Sequence, residues 1–237
     1  METIIFDVDD TLYDQALSFH ETFKQLIDDS YSYQAIDAVY RASRHYSEQL
    51  FDQSERGEIT VLEWQAGRFK LALLDSGVEI DDETALQFHQ LYKEHQAAIT
   101  LFPEVEALLE TLHQENKQLA ILTNGEEAHQ QMKIDRLALN RWIPEANIFI
   151  SGTYGIAKPK EEIFKLVEDK LGADPNQTVY VGDSFEKDIV GAKRAGWHAV
   201  WMNHRNRQAD PNSPYQADQE VHSAKALFDY LKNEHVN

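Results

Sequence analysis

Cysteine is absent from the 237 residues, which excludes disulfides and thiolate metal sites and leaves nothing that points to an oxidising compartment. Long hydrophobic runs are missing too: no stretch of about eighteen apolar residues occurs, so a membrane-spanning helix is not expected. The start, Met1-Glu2-Thr3 leading into Ile4-Ile5-Phe6, has neither the basic region nor the apolar length of a signal peptide, and a cytoplasmic chain is expected. Basic residues are scarce, with 22 Lys and Arg against 41 Asp and Glu and a net charge of -19. That balance argues against a nucleic-acid polymer as partner. No localised acidic block marks a docking site for a basic partner either, and the excess reads as a solvated surface.

What is present divides into two textures. Residues 3 to 8, Thr-Ile-Ile-Phe-Asp-Val, form a β-branched and aromatic run of the kind that makes a buried parallel strand, and it ends in acids. From about 15 to 101 apolar positions recur at helical spacing, broken at Asp28-Asp29-Ser30, Gly57 and Gly77. Four helices are predicted there, over roughly 15–28, 33–53, 59–75 and 82–98. Thr60 with Glu63 makes a capping box, and Asp81-Asp82 suits a helix N-terminus.

After Phe102-Pro103 strands and helices alternate. Helices are predicted over 104–115, 126–137, 160–171, 185–195 and 223–232, and strands over 119–123, 148–150, 178–181 and 199–201. Such alternation predicts an α/β fold with a parallel sheet and helices on both faces. Residues 1–14 and 102–237 then form the catalytic core, and 15–101 an inserted all-helical domain. The Arg-, Asn-, Asp- and Pro-rich stretch from Asn203 to Gln219 reads as a long surface loop.

In an open parallel sheet ligands bind at the carboxyl ends of the strands. Those ends carry Asp7-Val8-Asp9-Asp10-Thr11, then Thr123-Asn124-Gly125, then a loop with Lys158-Pro159, then Gly182-Asp183-Ser184 with Asp188 further on. Carboxylates, a hydroxyl, a backbone amide beside glycine and one amine match the needs of phosphoryl transfer: a nucleophile, a hard cation, and donors around the phosphoryl oxygens. Mg²⁺ is satisfied by one or two carboxylates plus waters and substrate phosphate.

The four motifs, in this order, resemble those of the haloacid dehalogenase superfamily, in its phosphatase branch with an inserted helical cap of the C1 type. The resemblance spans essentially the whole chain and implies a Rossmann-like core and an aspartyl-phosphate intermediate. By motif, Asp7 is the nucleophile and a Mg²⁺ ligand. Asp9 is the general acid and base, with its main-chain carbonyl toward the metal. Thr123 and the Asn124 backbone N–H would bind the phosphoryl group at the start of the following helix. Lys158, held extended by the following proline, would neutralise charge on Asp7, with Lys160 a solvated helix-start residue. Asp183 would ligate Mg²⁺ directly, and Asp188 would reach it through water or orient Lys158. Asp10 has no assigned chemistry and reads as a solvated or turn-stabilising acid, and Ser184 as a helix N-cap.

The ten histidines read as surface or cap residues without metal-ligand spacing. Arg41, Arg44, His45, Arg56 and Arg68 lie in the insertion as substrate-contact candidates, each also readable as a surface charge. Tyr31, Tyr33, Tyr40 and Phe51 read as helix packing. The expected activity is hydrolysis of a small phosphate ester, with nucleoside monophosphates, sugar phosphates and phosphoglycolate as candidates, by a monomer or homodimer. A phosphomutase would keep every motif, whereas a dehalogenase would not need Asp9. A phosphonatase would need a further cap lysine, and an idle binding module would not need the full set of acids.

Overall fold

The computed structural model describes residues 1–233. The chain divides into two compact units, Met1–Asp14 together with the chain from Thr100 onward, and Gln15–Ile99.

The first unit carries a six-stranded, wholly parallel sheet in the order β3-β2-β1-β4-β5-β6. The strands are β1 (Thr3–Phe6), β2 (Gln118–Thr123), β3 (Ile148–Ile150), β4 (Thr178–Gly182), β5 (His198–Met202) and β6 (Gln219–Val221). β1 lies in the middle, with Ile5 opposite Ala120 on one side and Tyr180 on the other. Its four residues are all buried, as a strand covered on both faces requires. One cluster, centred on Ile5, Leu122, Phe149, Phe164, Tyr180 and Trp197, fills one face. Burying each large apolar side chain contributes about 1.5–3 kcal/mol.

The helices of this unit include α5 (Pro103–Gln114), α6 (Glu127–Arg136), α8 (Glu161–Leu171) and α10 (Ala224–Asn233). Between α6 and α8 a four-residue turn of helix, α7 (Ser151–Tyr154), follows β3 directly. The helix expected over 185–195 is two pieces: a wide π-type turn, Phe185–Ile189, and then α9 (Val190–Arg194). The stretch read as a loop to Gln219 ends in a sixth strand, since β6 extends the sheet at β5. Its three residues are too few to show a periodicity.

The second unit holds α1 (Leu17–Leu26), α2 (Tyr33–Glu55), α3 (Val61–Asp75) and α4 (Asp82–Gln96). The Thr60/Glu63 capping box is formed, and Asp81 caps α4 through the Thr84 N–H. Phe19, Phe23, Tyr40, Phe69, Phe88 and Tyr92 make an aromatic core. Phe19 lies 5.1 Å from Phe88 and 6.0 Å from Phe69, ring centre to ring centre, in tilted pairs. Tyr31 and Tyr40 pack here as read, but Tyr33 and Phe51 are 48% and 44% exposed. Their rings rest instead on His20 and Trp64. His20 and His89 are buried rather than on the surface, because each sits on an inward helix face.

Candidate active site

β1 ends at Phe6, so Asp7 is the first residue past the sheet. Its N–H still donates to the Val181 carbonyl at 2.9 Å, which keeps the side chain in register with the end of β4. Asp7 and Lys158 are each 5% exposed, and Lys158 Nζ donates to Asp7 Oδ1 at 2.8 Å and Asp188 Oδ1 at 2.7 Å. Tyr180, on β4, accepts from the same amine at 2.7 Å and donates to the Leu122 carbonyl at 2.8 Å. The lysine is thus gripped from β1, β4 and the helix after β4. Burial alone would favour a neutral amine, but Asp188 and Asp7 raise its pKa, so it stays charged.

Asp188 can approach this closely because residue 182 is glycine: a Cβ there would stand 2.5 Å from the Asp188 carboxyl. The other Asp188 oxygen accepts from the Ser184 N–H at 2.9 Å. Ser184 caps the following turn through the Lys187 N–H, as expected. Carboxylate oxygens of Asp7, Asp183 and Asp188 all lie within 4.8 Å of one another. Burial, with Asp188 and Asp9 nearby, pushes Asp7 up to about 6 against the pull of Lys158. Burial likewise holds Asp183 well above the usual carboxylate range, with Asp188, Asp7 and Asp10 adding to it against Arg207. Crowded carboxyl oxygens, with Asp7 and Asp183 held above their usual range, are what a hard divalent cation relieves, and the all-oxygen donor set of the three residues fits Mg²⁺.

The Asp9 side chain is not in that cluster, and its expected metal contact is through the main chain alone. Its carboxylate accepts from Lys133 Nζ at 2.8 and 2.7 Å, from Tyr13 Oη at 2.5 Å and from Gln130 Nε2 at 3.2 Å. Burial works to raise its pKa, but Lys133 leads the groups that hold it below the usual range. Asp10 is buried rather than solvated, with φ at +54°. Arg205 grips both its oxygens at 2.8 Å and also bonds Asp14, while Arg207 bridges Asp10 and Asp183. Burial raises the Asp10 pKa, but His204 and Arg205 hold it well below the usual range. Its role is to tie the 203–207 loop to the nucleophile turn.

Thr123 is the last residue of β2 and not at a helix start: α6 begins at Glu127, capped by Glu126. The loop between them brings Gln130 onto the Thr123 hydroxyl at 2.6 Å. Asn124 exchanges two hydrogen bonds with the Lys158 main chain, at 3.0 and 2.9 Å, so its side chain fastens the second motif to the third. Lys160 stands immediately before α8.

Sequence reasoning missed Lys133, Gln130, Tyr13, Tyr180, Arg205 and Arg207. The signal for two of them was the Gln130-x-x-Lys133 spacing, which puts both on one helix face. Arg205 and Arg207 lie in a segment without periodicity. In the helical unit Arg41 pairs with Asp37, Arg56 with Glu58 and His45 with Gln49. Arg68 lies over Phe69, 4.3 Å from the ring centre, and has no carboxylate partner among the described residues.

A family model described as haloacid dehalogenase-like hydrolase matches residues 1–196. The chain is 29% identical over 228 residues to the pyrimidine 5'-nucleotidase YjjG of Escherichia coli, covering 95% of this chain and 96% of that protein. The structure of the putative HAD-hydrolase YfnB of Bacillus subtilis, bound to magnesium, matches with a TM-score of 0.68 at 25% identity, over 97% of this chain and 98% of that one. The L-2-haloacid dehalogenase of Xanthobacter autotrophicus shares the fold, with a TM-score of 0.67 at 16% identity over 98% of both chains.

Proposed function

The chain belongs to the haloacid dehalogenase-like hydrolase family, and from that premise we propose that it is a Mg²⁺-dependent phosphatase of small phosphate monoesters, with Asp7 as its nucleophile. The observation that carries this reading is the convergence of Asp7, Asp183 and Asp188 around one point, with Lys158 bridging two of them.

An Asp7 oxygen attacks phosphorus, the bond to the ester oxygen breaks, and Asp9, ionised beside Lys133 before substrate binds, passes to that oxygen the proton carried in by the monoanionic ester. Asp9, ionised again, takes a proton from water, and the resulting hydroxide attacks the aspartyl phosphate. Phosphate leaves and Asp7 is regenerated. Lys158 holds positive charge beside Asp7 throughout, and Thr123 with the Asn124 N–H donates to the phosphoryl oxygens. Asp7, Asp183 and Asp188 would hold Mg²⁺, which when bound would supply positive charge to the phosphate.

Asp9 favours this reading over dehalogenation, which has no leaving oxygen to protonate. The helical unit is assigned the part of a cap, with hinges near 13–16 and 99–103, that excludes water and selects substrate. Of its basic residues Arg68 is the first to test against substrate, because its charge has no carboxylate partner. Nucleoside monophosphates head the substrate list, supported by the full-length likeness to a protein named as a nucleotidase.

The test is a panel of nucleotide, sugar and glycolate phosphates assayed for phosphate release. Release should need Mg²⁺ and fall at least about a thousandfold in Asp7→Asn. Turnover that survives Asp7→Asn or chelation overturns the reading. Isomerisation of a sugar phosphate without phosphate release selects a mutase.

A further inference from the structure

Two of the side chains on Asp9 come from one face of α6, three positions apart. Lys133 and Gln130 are 3% and 1% exposed, and neither belongs to the four motifs. Among the described residues Lys133 spends its ammonium on Asp9 alone, reaching both oxygens. An ion pair at this depth adds little net stability over an apolar pair, so its contribution is to be sought in where it holds the carboxyl group.

Gln130 fixes a polarity. The Gln130 amide nitrogen, 3.2 Å from Asp9 Oδ2, donates to a carboxyl group that also accepts from Lys133 and Tyr13. The second hydrogen of that nitrogen is directed at Thr123 Oγ1, 2.6 Å away, which must therefore accept. The Thr123 proton is left to be donated elsewhere, and a phosphoryl oxygen is an acceptor only. Gly125 leaves room for this pose: a Cβ there would stand 2.7 Å from the Gln130 Cγ.

We propose that Lys133 and Gln130 are positioning residues of the reaction, Lys133 aiming the Asp9 carboxyl at the leaving oxygen and Gln130 presetting Thr123 as a donor to the phosphoryl group. This rests on the roles of Asp9 and Thr123 given above. The two act at different points. Lys133 matters in proportion to how badly the leaving group needs a proton, whereas Gln130 serves the phosphoryl group that every substrate shares.

Leaving-group dependence separates such roles from a merely structural one. For each variant kcat/KM is measured with an alkyl phosphate and with p-nitrophenyl phosphate, whose anion departs unprotonated. Because kcat/KM reports only the steps through phospho-enzyme formation, Lys133→Met should lose at least about 30-fold on the alkyl ester and under about 5-fold on the aryl ester. Its kcat should fall for both, since the common intermediate needs Asp9 as a base. Gln130→Met should weaken kcat/KM for both esters by a similar factor of about 10. Equal losses on the two esters in Lys133→Met, or none, overturn the assignment of Lys133. A loss in Gln130→Met confined to the alkyl ester, or none, overturns that of Gln130. Should Lys133→Met fail to fold, Lys133→Arg keeps the charge and moves the donors, and the same alkyl-selective loss is expected; an unchanged ratio of the two esters then overturns the proposal. A wild type that releases no phosphate, or an active Asp7→Asn, refutes the phosphatase reading itself. An active wild type with a leaving-group-blind Lys133 variant refutes only this inference.

Discussion

The two units bury charge on opposite terms. In the α/β unit Asp7, Asp10 and Asp188 are buried beside cations that touch them, Lys158 and Arg205 among them. In the helical unit the core is aromatic, and two basic groups against it have no counter-charge among the described residues: Arg68 lacks a carboxylate, and the buried His89 Nδ1 lacks a hydrogen-bond partner. One unit keeps charges in place by pairing them, and the other keeps a base neutral by desolvating it. Removing a cation should therefore harm the first and not the second, and the two should respond to pH with opposite signs.

The largest effect expected is at Lys158. Lys158→Met leaves two buried acids without their shared partner and should cost about 3–5 kcal/mol in denaturant unfolding of the metal-free protein. A cost below about 1 kcal/mol would show that the acids simply protonate, and would weaken the contrast.

Next comes the pH response of the nucleophile. With its folded pKa raised to about 6 from 3.8, Asp7 binds its proton more tightly in the folded protein. Its contribution is favourable below about pH 4 and turns unfavourable as pH rises through 6. In chelator, Asp7→Asn should be more stable than wild type by about 2–3 kcal/mol at pH 7.5, with the two converging near pH 4. Added Mg²⁺ should close the gap at pH 7.5 by binding the ionised wild type. Thermal unfolding of both proteins across that range is the measurement.

His89 runs the other way. Desolvation first, then Arg68 and Lys93, depress its pKa to about 4 from 6.5. The folded protein therefore resists the proton that the unfolded chain accepts, and stability present above pH 6.5 is lost as pH falls through 4. A loss of order 1–2 kcal/mol is expected between those values, allowing for solvent screening, and His89→Gln should flatten it. A slope that persists in His89→Gln would place the acid sensitivity elsewhere.

The smallest effect is at Arg68. Arg68→Met should change stability by no more than about 1 kcal/mol, and in the favourable direction, because it removes an unpaired charge and keeps the stem that packs on Phe69. If the cap reading holds, KM should rise in the same variant.

Most of the α/β unit was legible because buried parallel strands and amphipathic helices write their periods into the chain, and because the motifs fall at strand ends. Asp7, Lys158, Asp183 and Asp188 could be singled out that way and lie together in the structure. Asp10 proved the turn-stabilising acid and not the solvated one, and its burial was not legible because nothing local reveals that Arg205, 195 positions on, would reach it. Thr123 ends its strand as predicted, and only its distance from the following helix, which starts at Glu127, was not legible. Lys133 and Gln130 look like the polar face of any surface helix, and only tertiary placement buries them. β6 is a strand because an edge of β5 is there to receive it, a fact about the sheet and not about Gln219–Val221.

The central place of β1 also sets a schedule. Its two neighbours begin at residues 118 and 178, and Asp7 is 151 positions from the lysine that steadies it. At a synthesis rate of about 5–20 residues per second, the nucleophile strand leaves the ribosome roughly 8–30 s before Lys158. Until β2 follows at residue 118 it has two bare edges and no partner strand, while the aromatic core of the helical unit is already complete at Tyr92. An apolar tetrapeptide kept waiting in this way is the segment of the nascent chain most exposed to mispairing, and slower translation should lower the yield of native enzyme unless chaperones cover it.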